Sequence, residues 1–393
     1  MSRKQNRLLI LSENFPPVVG GSARWAGKIA EYWPGRVDVL MAGGKGLAAR
    51  FVGGHVVSYR RRFVFPSWGP DDLQSCLGYF TYVGQAVSLA IRRRPGWILV
   101  GRGLPEGVAA MTIQRLMGVP YAVLAHGEEI ATCQSSGLLR RMLASVYGRA
   151  NLVIANSLNS RHLAMHAGAC EAKTVVSHPG VDTTRFSQPV DVSFVRRELG
   201  IGDEVMVLSV GRLEWRKNHR AVVNAVKELV QRGRRVAYVI AGSGEEEGRL
   251  TEQVRRLGIE SSVRLLGRVS DEQLVGLFRS ADVFALPGIT SKTQFEGFGI
   301  VFLEAAAAGV PSICGNAGGS PEAVIDGETG LVVDGSDATQ VQEALERLVT
   351  DESLRGQMGR LAQTRVMKQF DWSILMSGLF DYLGLSERGV VDG

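Results

Sequence analysis

The chain has 393 residues, of which 45% are hydrophobic and 21% charged, and its formal net charge at pH 7 is +6. This length exceeds what one hydrophobic core usually supports, so we expect two domains. The chain has no apolar run near the roughly 18–20 residues of a membrane-spanning helix. Its four scattered cysteines form no Cys-x-x-Cys pair, so they suggest neither a disulfide framework nor a zinc site and favour a cytoplasmic protein.

Short apolar or β-branched runs recur along the first half of the chain, each followed by a segment with helical periodicity. We predict strands at Leu8–Ser12, Val37–Met41, His55–Tyr59, Trp97–Val100, Tyr121–Ala125, Leu152–Ala155 and Thr174–Ser177. Strands that alternate with helices form parallel sheets connected by right-handed crossovers. Residues 1–190 are therefore predicted to form one doubly wound domain.

The same alternation continues after a polar stretch at 188–203, which we take as the boundary. Strands are predicted at Val205–Val210, Val236–Ala241, Val263–Leu266, Val283–Leu286, Ser312–Cys314 and Leu331–Val333. Residues 200–370 then form a second domain of the same kind, and the fold class is α/β with two doubly wound Rossmann-like domains. Because ligands of open α/β sheets bind beyond the carboxyl ends of the strands, we expect the site in the cleft between the domains.

Two glutamates seven residues apart, Glu296 and Glu304, flank a Gly-rich turn that leads into a predicted helix, Val301–Ala308. The backbone N–H groups at such a helix N-terminus favour a phosphate. Glu296 precedes the helix and is placed to reach a bound sugar, while Glu304 lies inside the helix, where it would accept hydrogen bonds from ribose hydroxyls. The alternative is that Glu296 caps the helix and Glu304 is solvated.

Arg212 and Lys217 lie in the loop between a predicted strand and the helix that follows it. A diphosphate leaving group requires fixed cations, and Arg offers forked contacts while Lys offers a point charge. The alternative is that both are solvated surface residues. Their place at the ligand-binding edge of a sheet favours the functional interpretation.

Two features of the first half could also contact a ligand. Gly20 and Gly21 follow the first strand, and paired glycines let the backbone approach a ligand closely, although a tight turn is the alternative. Their spacing is not that of a dinucleotide fingerprint. His126 ends a buried strand and could bond a sugar hydroxyl, or it could simply tie down a loop.

Together these residues resemble the family-4 retaining glycosyltransferases of the GT-B architecture, and the Glu296…Glu304 pair matches that family's E-x7-E motif. Further matches are Gly20-Gly21, His126-Gly127, Pro179–Asp182 with Phe186, Gly211–Leu213 with Lys217, Gly242–Gly244, Leu266–Arg268 and Gly318–Glu322. They span residues 8–375. The run from Glu296 to Gly335 looks especially like bacterial phosphatidylinositol mannosyltransferases and related lipid- or polysaccharide-directed mannosyltransferases.

The resemblance implies roles for the matched residues. Glu296 would stabilise charge on the transferred sugar, and His126 would contact a hydroxyl of that sugar from the opposite domain. Residues implied to bind the donor are Arg212 and Lys217 on the diphosphate, Glu304 on the ribose, the backbone of Phe298, Gly299 and Ile300 and the Gly20-Gly21 loop near the phosphates, and Arg268 and Val269 around the base. Residues 371–393 would form a helix that crosses back to the first domain.

The implied reaction is the retaining transfer of a hexose from a nucleotide diphosphate-sugar to a hydroxyl of a lipid-linked, glycan or small-molecule acceptor. It needs no metal and no other cofactor, since Arg212, Lys217 and the helix N-terminus supply the positive charge. Mannose from GDP-mannose is the favoured donor. A UDP-hexose is the alternative, because Gln294-Phe295 before Glu296 differs from the phosphatidylinositol enzymes. The sequence leaves the oligomeric state open.

The basic residues are concentrated in the first half, where residues 1–190 hold 22 Lys and Arg against 10 Asp and Glu, a net charge of +12. Three clusters stand out, Arg60–Arg62, Arg92–Arg94 and Arg140-Arg141, and Phe63, Phe65 and Trp68 follow the first. Arginines with interleaved aromatics suit anionic lipid, although ordinary solvated surface is the alternative for any one cluster, and only the three clusters together with the charge of +12 favour lipid. We therefore expect peripheral contact with the inner face of the cytoplasmic membrane, and no nucleic-acid partner, since no nucleic-acid-binding module is recognisable.

Three other functions fit parts of this pattern. A dehydrogenase lacks support because the nucleotide fingerprint is missing and the Arg212–Lys217 loop is charged. A sugar-nucleotide epimerase shares the two-domain layout. A catalytically silent GT-B scaffold is disfavoured because Glu296, Glu304, Arg212 and Lys217 are all present.

Overall fold

The computed structural model describes residues 7–18, 20–41, 55–60, 69–70, 72–134, 136–291 and 294–385. The chain divides into two compact units. The first contains the chain up to Pro179 together with the residues from Met376 onward, and the second is Gly180–Leu375. Each unit is a parallel β-sheet covered by helices on both faces.

The first unit contains a seven-stranded sheet in the order β3-β2-β1-β4-β5-β6-β7. Its strands are β1 (Arg7–Leu11), β2 (Arg36–Met41), β3 (Val56–Arg60), β4 (Trp97–Val100), β5 (Tyr121–Ala125), β6 (Leu152–Ala155) and β7 (Thr174–Val176). Its helices are α1 (Gly21–Tyr32), α2 (Leu73–Arg93), α3 (Glu106–Met117), α4 (Glu128–Cys133), α5 (Gly137–Arg149) and α6 (Leu158–His166).

The second unit contains a six-stranded sheet in the order β10-β9-β8-β11-β12-β13. Its strands are β8 (Val205–Val210), β9 (Val236–Ala241), β10 (Val263–Gly267), β11 (Val283–Leu286), β12 (Ser312–Gly315) and β13 (Gly330–Val333). Its helices are α7 (Thr183–Ser187), α8 (Val192–Glu198), α9 (His219–Gln231), α10 (Glu247–Leu257), α11 (Asp271–Ser280), α12 (Ile300–Ala307), α13 (Ser320–Ala323), α14 (Ala338–Thr350) and α15 (Glu352–Gln369). The last helix, α16 (Trp372–Tyr382), begins in the second unit and ends in the first.

All thirteen predicted strands are present, and no strand end differs from its prediction by more than one residue. The reason is that parallel strands covered on both faces must be apolar throughout, which leaves a continuous apolar run in the sequence. Every residue of β5 and of β9 is buried. In β8, Met206 and Leu208 pack into the core on one face of the sheet, while Val207 packs into the core on the other.

The division between the units lies earlier than the predicted boundary at residue 190. Val181 and Phe186 are buried in the core of the second unit, and the Val181 N–H donates to the Phe370 carbonyl at 2.9 Å. The polar stretch at 188–203 resembles a linker in composition, but it contains α8 (Val192–Glu198). Arg196 of this helix anchors it to the unit through Asp282, with an Nη1–Oδ2 distance of 3.2 Å.

Both sheets reverse their strand order once, between β1 and β4 in the first unit and between β8 and β11 in the second. The loops that follow these neighbouring strands diverge to opposite faces of the sheet, which opens a crevice at the carboxyl edge. None of the described helices combines the length and apolar character that crossing a membrane requires.

Close backbone packing at the carboxyl edge of the second sheet predicts a large difference between two Gly→Ala substitutions. A Cβ at Gly242 would overlap the Gly211 carbonyl oxygen, whereas a Cβ at Gly248, in the first turn of α10, would meet no described heavy atom within 4 Å. Gly242→Ala should therefore destabilise the protein by about 3 kcal/mol or more. Gly248→Ala should stabilise it by about 0.5 kcal/mol, because Ala favours a helix. Thermal unfolding of both variants tests this, and equal midpoints would contradict the packing.

Candidate active site

The loop between β8 and α9 is held in place by Asn218, which adopts the left-handed backbone conformation with a φ of 56°. Its side-chain Nδ2 donates to the carbonyls of Pro287, at 3.1 Å, and Gly335, at 2.7 Å. These carbonyls belong to the loops after β11 and β13. One buried amide therefore joins three loops at the carboxyl edge of the second sheet.

Arg216 and Lys217 are both buried, and their charged groups converge on the carboxylate of Glu296. The Lys217 ammonium forms an ion pair with Glu296 Oε2, and Arg216 Nη1 lies 3.4 Å from the same oxygen. The sequence assigned Lys217 to a phosphate and Glu296 to a sugar. The structure joins these two side chains directly to each other.

The backbone of Glu296 is fixed by the loop after β12. Its carbonyl accepts a hydrogen bond from the Gly319 N–H at 2.9 Å. Gly318 has a φ of 66°, and a Cβ at this position would overlap the Glu296 carbonyl oxygen, so only glycine fits here. The Gly318-Gly319 match to the family pattern thus has a structural role in positioning Glu296.

Two opposing effects set the protonation of Glu296. Burial would raise its pKa, but the charges of Lys217 and Arg216 outweigh burial and hold the pKa of this carboxyl below its usual range. Glu296 is therefore a carboxylate at neutral pH. Its side chain forms ion pairs with Lys217 and Arg216. The N-cap position of α12 is occupied by Gly299, and no side chain among the described residues caps this helix. The alternative that Glu296 caps the helix is wrong.

Helix α12 begins at Ile300, four residues after Glu296, close to the predicted start at Val301. Phe298 is buried and packs against Phe370 with ring centroids 6.0 Å apart, so the turn through Gly299 to Ile300 has a fixed core contact. Glu304 lies within the same helix and is only 2% exposed. The alternative that Glu304 is a solvated surface residue is therefore wrong.

Arg212 is the exposed cation of this loop, with 70% of its side chain accessible. It forms an ion pair with Glu214, whose Oε2 also lies 2.9 Å from Arg216 Nε. Arg212, Glu214, Arg216, Glu296 and Lys217 thus form a continuous chain of alternating charges. Three cations face two carboxylates, which leaves a net positive charge.

Arg268 and Val269 follow β10, the edge strand on the other side of β9 from β8. Arg268 Nε donates to Ser243 Oγ at 3.0 Å, and Val269 packs against the core of the unit. The Ser243 carbonyl in turn accepts a hydrogen bond from the Leu213 N–H at 3.1 Å. The segment predicted to surround the base is therefore connected to the loop that carries Arg212.

In the first unit, Gly20 and Gly21 lie where α1 begins, and both are exposed. Among the described residues, no heavy atom lies within 4 Å of the position that a Cβ of Gly20 would occupy. The space beside this backbone is open, as close approach of a ligand would require.

His126 follows β5 and is only partly accessible. Its ring lies edge-on to Trp25 with centroids 5.5 Å apart, and its Nε2 is 2.9 Å from the Gly101 carbonyl. Burial lowers the pKa of His126, so the imidazole is neutral at pH 7. We infer the tautomer in which Nε2–H donates to Gly101, which leaves Nδ1 as a hydrogen-bond acceptor. His126 therefore ties down the loop after β4, as the alternative interpretation proposed, and still presents an acceptor.

Arg216 and Asn218 belong to the same loop as Arg212 and Lys217, but the sequence analysis did not single them out. Arg216 contacts Glu296 and Asn218 joins three loops, so both shape the site. The sequence signal for Asn218 is its place just before a helix, where Asn is common. For Arg216 the only signal is its position next to Lys217, because the partners that bury it are distant in sequence.

No group of three or more His, Cys, Asp and Glu side chains within the described ranges is arranged to hold a metal ion. The positive charge around Glu296 comes from Arg212, Arg216, Lys217 and the N-terminus of α12. Such an arrangement suits an anionic ligand such as a diphosphate.

Two family descriptions match consecutive parts of the chain. Residues 19–185 match "Glycosyltransferase Family 4", and residues 191–365 match "Glycosyl transferases group 1". Together with two Rossmann-like units and a cation–carboxylate cluster at a sheet switch point, these matches define a glycosyltransferase of the GT-B class.

Similar proteins agree with this class. The GDP-mannose-dependent α-(1-6)-phosphatidylinositol monomannoside mannosyltransferase of Mycobacterium tuberculosis is 30% identical, over 96% of this chain and 98% of its own length. The D-inositol 3-phosphate glycosyltransferase of Corynebacterium jeikeium is 40% identical over 49% of this chain and 47% of its own. Sucrose-phosphate synthase from Thermosynechococcus elongatus has a TM-score of 0.81 at 19% identity, over 97% of this chain and 98% of its own.

The chain belongs to the family-4 glycosyltransferases, and it is accordingly a nucleotide-sugar-dependent hexosyltransferase. The predicted fold class and family are confirmed.

His219, beneath the Lys217 loop, generates a pH-dependent prediction. Burial, and then the nearby Lys217 charge, lower its pKa from 6.5 to about 4. The unfolded chain therefore binds a proton that the folded chain excludes, so stability falls as pH falls from 6.5 to 4. This contribution amounts to about 3 kcal/mol across the window. His219→Gln should remove it, while His166→Gln on exposed α6 should not.

The measurement is chemical unfolding of the wild type and both variants at several pH values between 4 and 7. The difference in stability between the wild type and His219→Gln should grow in favour of the wild type as pH rises to 6.5, then stay constant. Parallel stability curves would show that His219 is not buried in its neutral form.

Proposed function

We propose that this enzyme transfers mannose from GDP-mannose to a hydroxyl of a lipid-linked or glycan acceptor, with retention at the sugar carbon and without a metal. The observation that carries the proposal is the convergence of Lys217 and Arg216 on Glu296 beside the N-terminus of α12. The mannosyltransferase relative, similar over nearly the whole length of both chains, supports GDP-mannose as the donor.

The donor diphosphate would bind at Lys217, Arg212 and the backbone of Phe298, Gly299 and Ile300. Fixed cations and helix N–H groups stabilise the charge that develops on a departing phosphate. They supply what a divalent ion supplies in other transferases. Arg212 is exposed and its ion pair with Glu214 costs little to open. It is the cation best placed to move onto the incoming diphosphate.

In the proposed reaction, the acceptor oxygen attacks the anomeric carbon on the face from which the diphosphate leaves. The bond from the anomeric carbon to the phosphate oxygen breaks as the bond to the acceptor oxygen forms. The departing phosphate oxygen takes the proton of the acceptor hydroxyl. Glu296, ionised at neutral pH, would stabilise the positive charge that develops on the sugar.

The remaining predicted site residues have supporting roles in this proposal. Glu304 would accept hydrogen bonds from the ribose hydroxyls, and Arg268 with Val269 would hold the base. In the first unit, His126 Nδ1 would accept a hydrogen bond from a sugar hydroxyl. The open backbone at Gly20 and Gly21 would lie beside the phosphates and the acceptor entrance.

Thermal-shift protection by nucleoside diphosphates tests the donor and the metal requirement together. GDP with excess EDTA should raise the unfolding temperature, whereas UDP and ADP should have little effect at the same concentration. At 100 times its dissociation constant, a ligand that binds only the folded state adds about 2.7 kcal/mol of stability. Selective protection by UDP would move the donor to a UDP-hexose. Protection by GDP only when Mg²⁺ is added would contradict the metal-free proposal.

We further infer that the first unit contacts an anionic membrane through α2. Five positions along one face of this helix are exposed, namely Leu73, Leu77, Phe80, Gly84 and Ile91. These positions recur every three or four residues or at multiples of that spacing, which places them on one side. The helix contains no acidic residue, and its first charged residue is Arg92.

Positive charge lies at the C-terminal end of this apolar face, where Arg92 and Arg94 are exposed, and Arg140 and Arg141 are exposed on α5. Each basic residue near an anionic surface contributes about 1 kcal/mol. The Arg92–Arg94 cluster was expected to contact lipid, but Arg93 instead forms an ion pair with the buried Asp38, with an Nε–Oδ1 distance of 3.5 Å. The predicted aromatic residues Phe63, Phe65 and Trp68, like Arg61 and Arg62, lie outside the described residues. An apolar helix face with arginines at its end suits an interfacial contact.

Sedimentation with vesicles tests this contact. The wild type should bind vesicles of phosphatidylcholine and phosphatidylglycerol, bind vesicles of phosphatidylcholine alone weakly, and be released by salt. The double variant Leu77→Ser/Phe80→Ser should bind at least about tenfold less. Leu116→Ser removes an equally exposed leucine from α3 and is the control. Equal vesicle binding by the double variant and the wild type would exclude α2 as the contact surface.

A further inference from the structure

Arg216 lies beside the proposed diphosphate site but is largely buried, and several protein groups hold its guanidinium in place. Arg216 is only 7% exposed. Nε lies 2.9 Å from Glu214 Oε2, while Nη1 lies 3.2 Å from the Phe295 carbonyl and 3.4 Å from Glu296 Oε2. The planar guanidinium thus touches both the side chain of Glu296 and the backbone next to it.

The backbone of Arg216 holds the same loop at its other end. The Arg216 carbonyl accepts a hydrogen bond from the Ile289 N–H at 2.8 Å. Ile289 follows β11 closely, and Phe295 and Glu296 lie just before α12. One residue therefore contacts the start and the end of the loop that carries Glu296.

Lys217 is bound to Glu296 in a different way. Its ammonium is a compact charge on a flexible chain, so it can exchange one anion for another without moving the backbone. A diphosphate at this site would attract Lys217 away from Glu296. The guanidinium of Arg216 cannot follow in the same way, since its fork is fixed by Glu214 and the Phe295 carbonyl.

We propose that Arg216 is a positioning residue that holds the Glu296 carboxylate in place when the donor diphosphate draws Lys217 away from it. This inference rests on the proposed function, in which Glu296 stabilises the transferred sugar. The two adjacent cations then have different roles: Lys217 binds the departing diphosphate, and Arg216 holds the Glu296 carboxylate.

The charges around Glu296 give this division a consequence that can be measured. Burial tends to raise the pKa of Glu296, and Lys217, Arg216 and Arg212 are the charged groups that lower it. Once Lys217 and Arg212 turn to a diphosphate, Arg216 is the cation that still contacts Glu296, and its other anionic neighbour is Glu214. Loss of Arg216 should therefore let Glu296 take up a proton at a higher pH in the donor complex.

The experiment compares Arg216→Met and Arg216→Lys with the wild type. Arg220→Met, an exposed site at the start of α9, is the matched control. For Arg216→Met we expect kcat to fall about 100-fold, the acid limb of the kcat profile to move to higher pH, and GDP affinity to change less than tenfold. Arg216→Lys should restore the acid limb more than kcat, because a lysine keeps the charge without the fork. Arg220→Met should match the wild type.

Lys217→Met and Glu296→Gln complete the comparison. Lys217→Met should lose GDP affinity, whereas Glu296→Gln should lose turnover and keep or gain GDP affinity, because its Lys217 no longer faces a carboxylate. Equal losses of GDP affinity in Arg216→Met and Lys217→Met would make Arg216 a diphosphate ligand and overturn the inference. The inference would also be overturned if both Arg216 variants had the kcat of the wild type and the same acid limb in the pH profile of kcat. Wild-type turnover in Glu296→Gln would instead refute the role proposed for Glu296. Should Arg216→Met fail to fold, Arg216→Lys alone decides.

Discussion

The ion pair between Lys217 and Glu296 joins residues 79 positions apart in sequence, and the sheet of the second unit makes it possible. Lys217 follows β8 and Glu296 follows β11, and these strands are neighbours only because the strand order reverses between them. In parallel sheets the loops beyond such a reversal border one crevice. The rest of the candidate site depends on this adjacency, including the chain of alternating charges that extends to Arg212.

Several polar side chains beneath the carboxyl edge form hydrogen bonds within the protein, and these bonds hold its geometry. The Asn218 side-chain amide donates hydrogen bonds to the carbonyls of Pro287 and Gly335. Behind it, His219 Nδ1 and Ser209 Oγ both lie within hydrogen-bond distance of the Tyr238 hydroxyl, at 3.3 and 2.8 Å. Buried polar networks of this kind fix side-chain orientations that apolar packing alone would leave variable. The loop that carries Lys217, and with it the contact to the Glu296 carboxylate, is therefore held by buried hydrogen bonds.

The sequence predicted the strands closely, since continuous apolar runs such as β9 can only be strands buried on both faces. It also indicated Glu296, Glu304, Arg212 and Lys217, because the motif and the loop positions are local. It could not reveal the pairing of Lys217 with Glu296 or the contacts of Arg216, which depend on strand order and on close backbone packing. The first domain was predicted to end too late because a polar stretch that forms α8 has the composition of a linker.

The contact between Lys217 and Glu296 also bears on which anions the enzyme admits. In the proposed site, the Glu296 carboxylate contacts the cation that would bind the donor phosphate, so part of the positive charge is already neutralised within the protein. A small anion such as inorganic phosphate would have to displace the Glu296 carboxylate from Lys217, and it would form few other contacts with the protein. A sugar nucleotide offers a diphosphate, a ribose and a base at once. If the site works as proposed, the Glu296 carboxylate would therefore favour a sugar nucleotide over small anions, because only the larger ligand offers enough contacts to displace it.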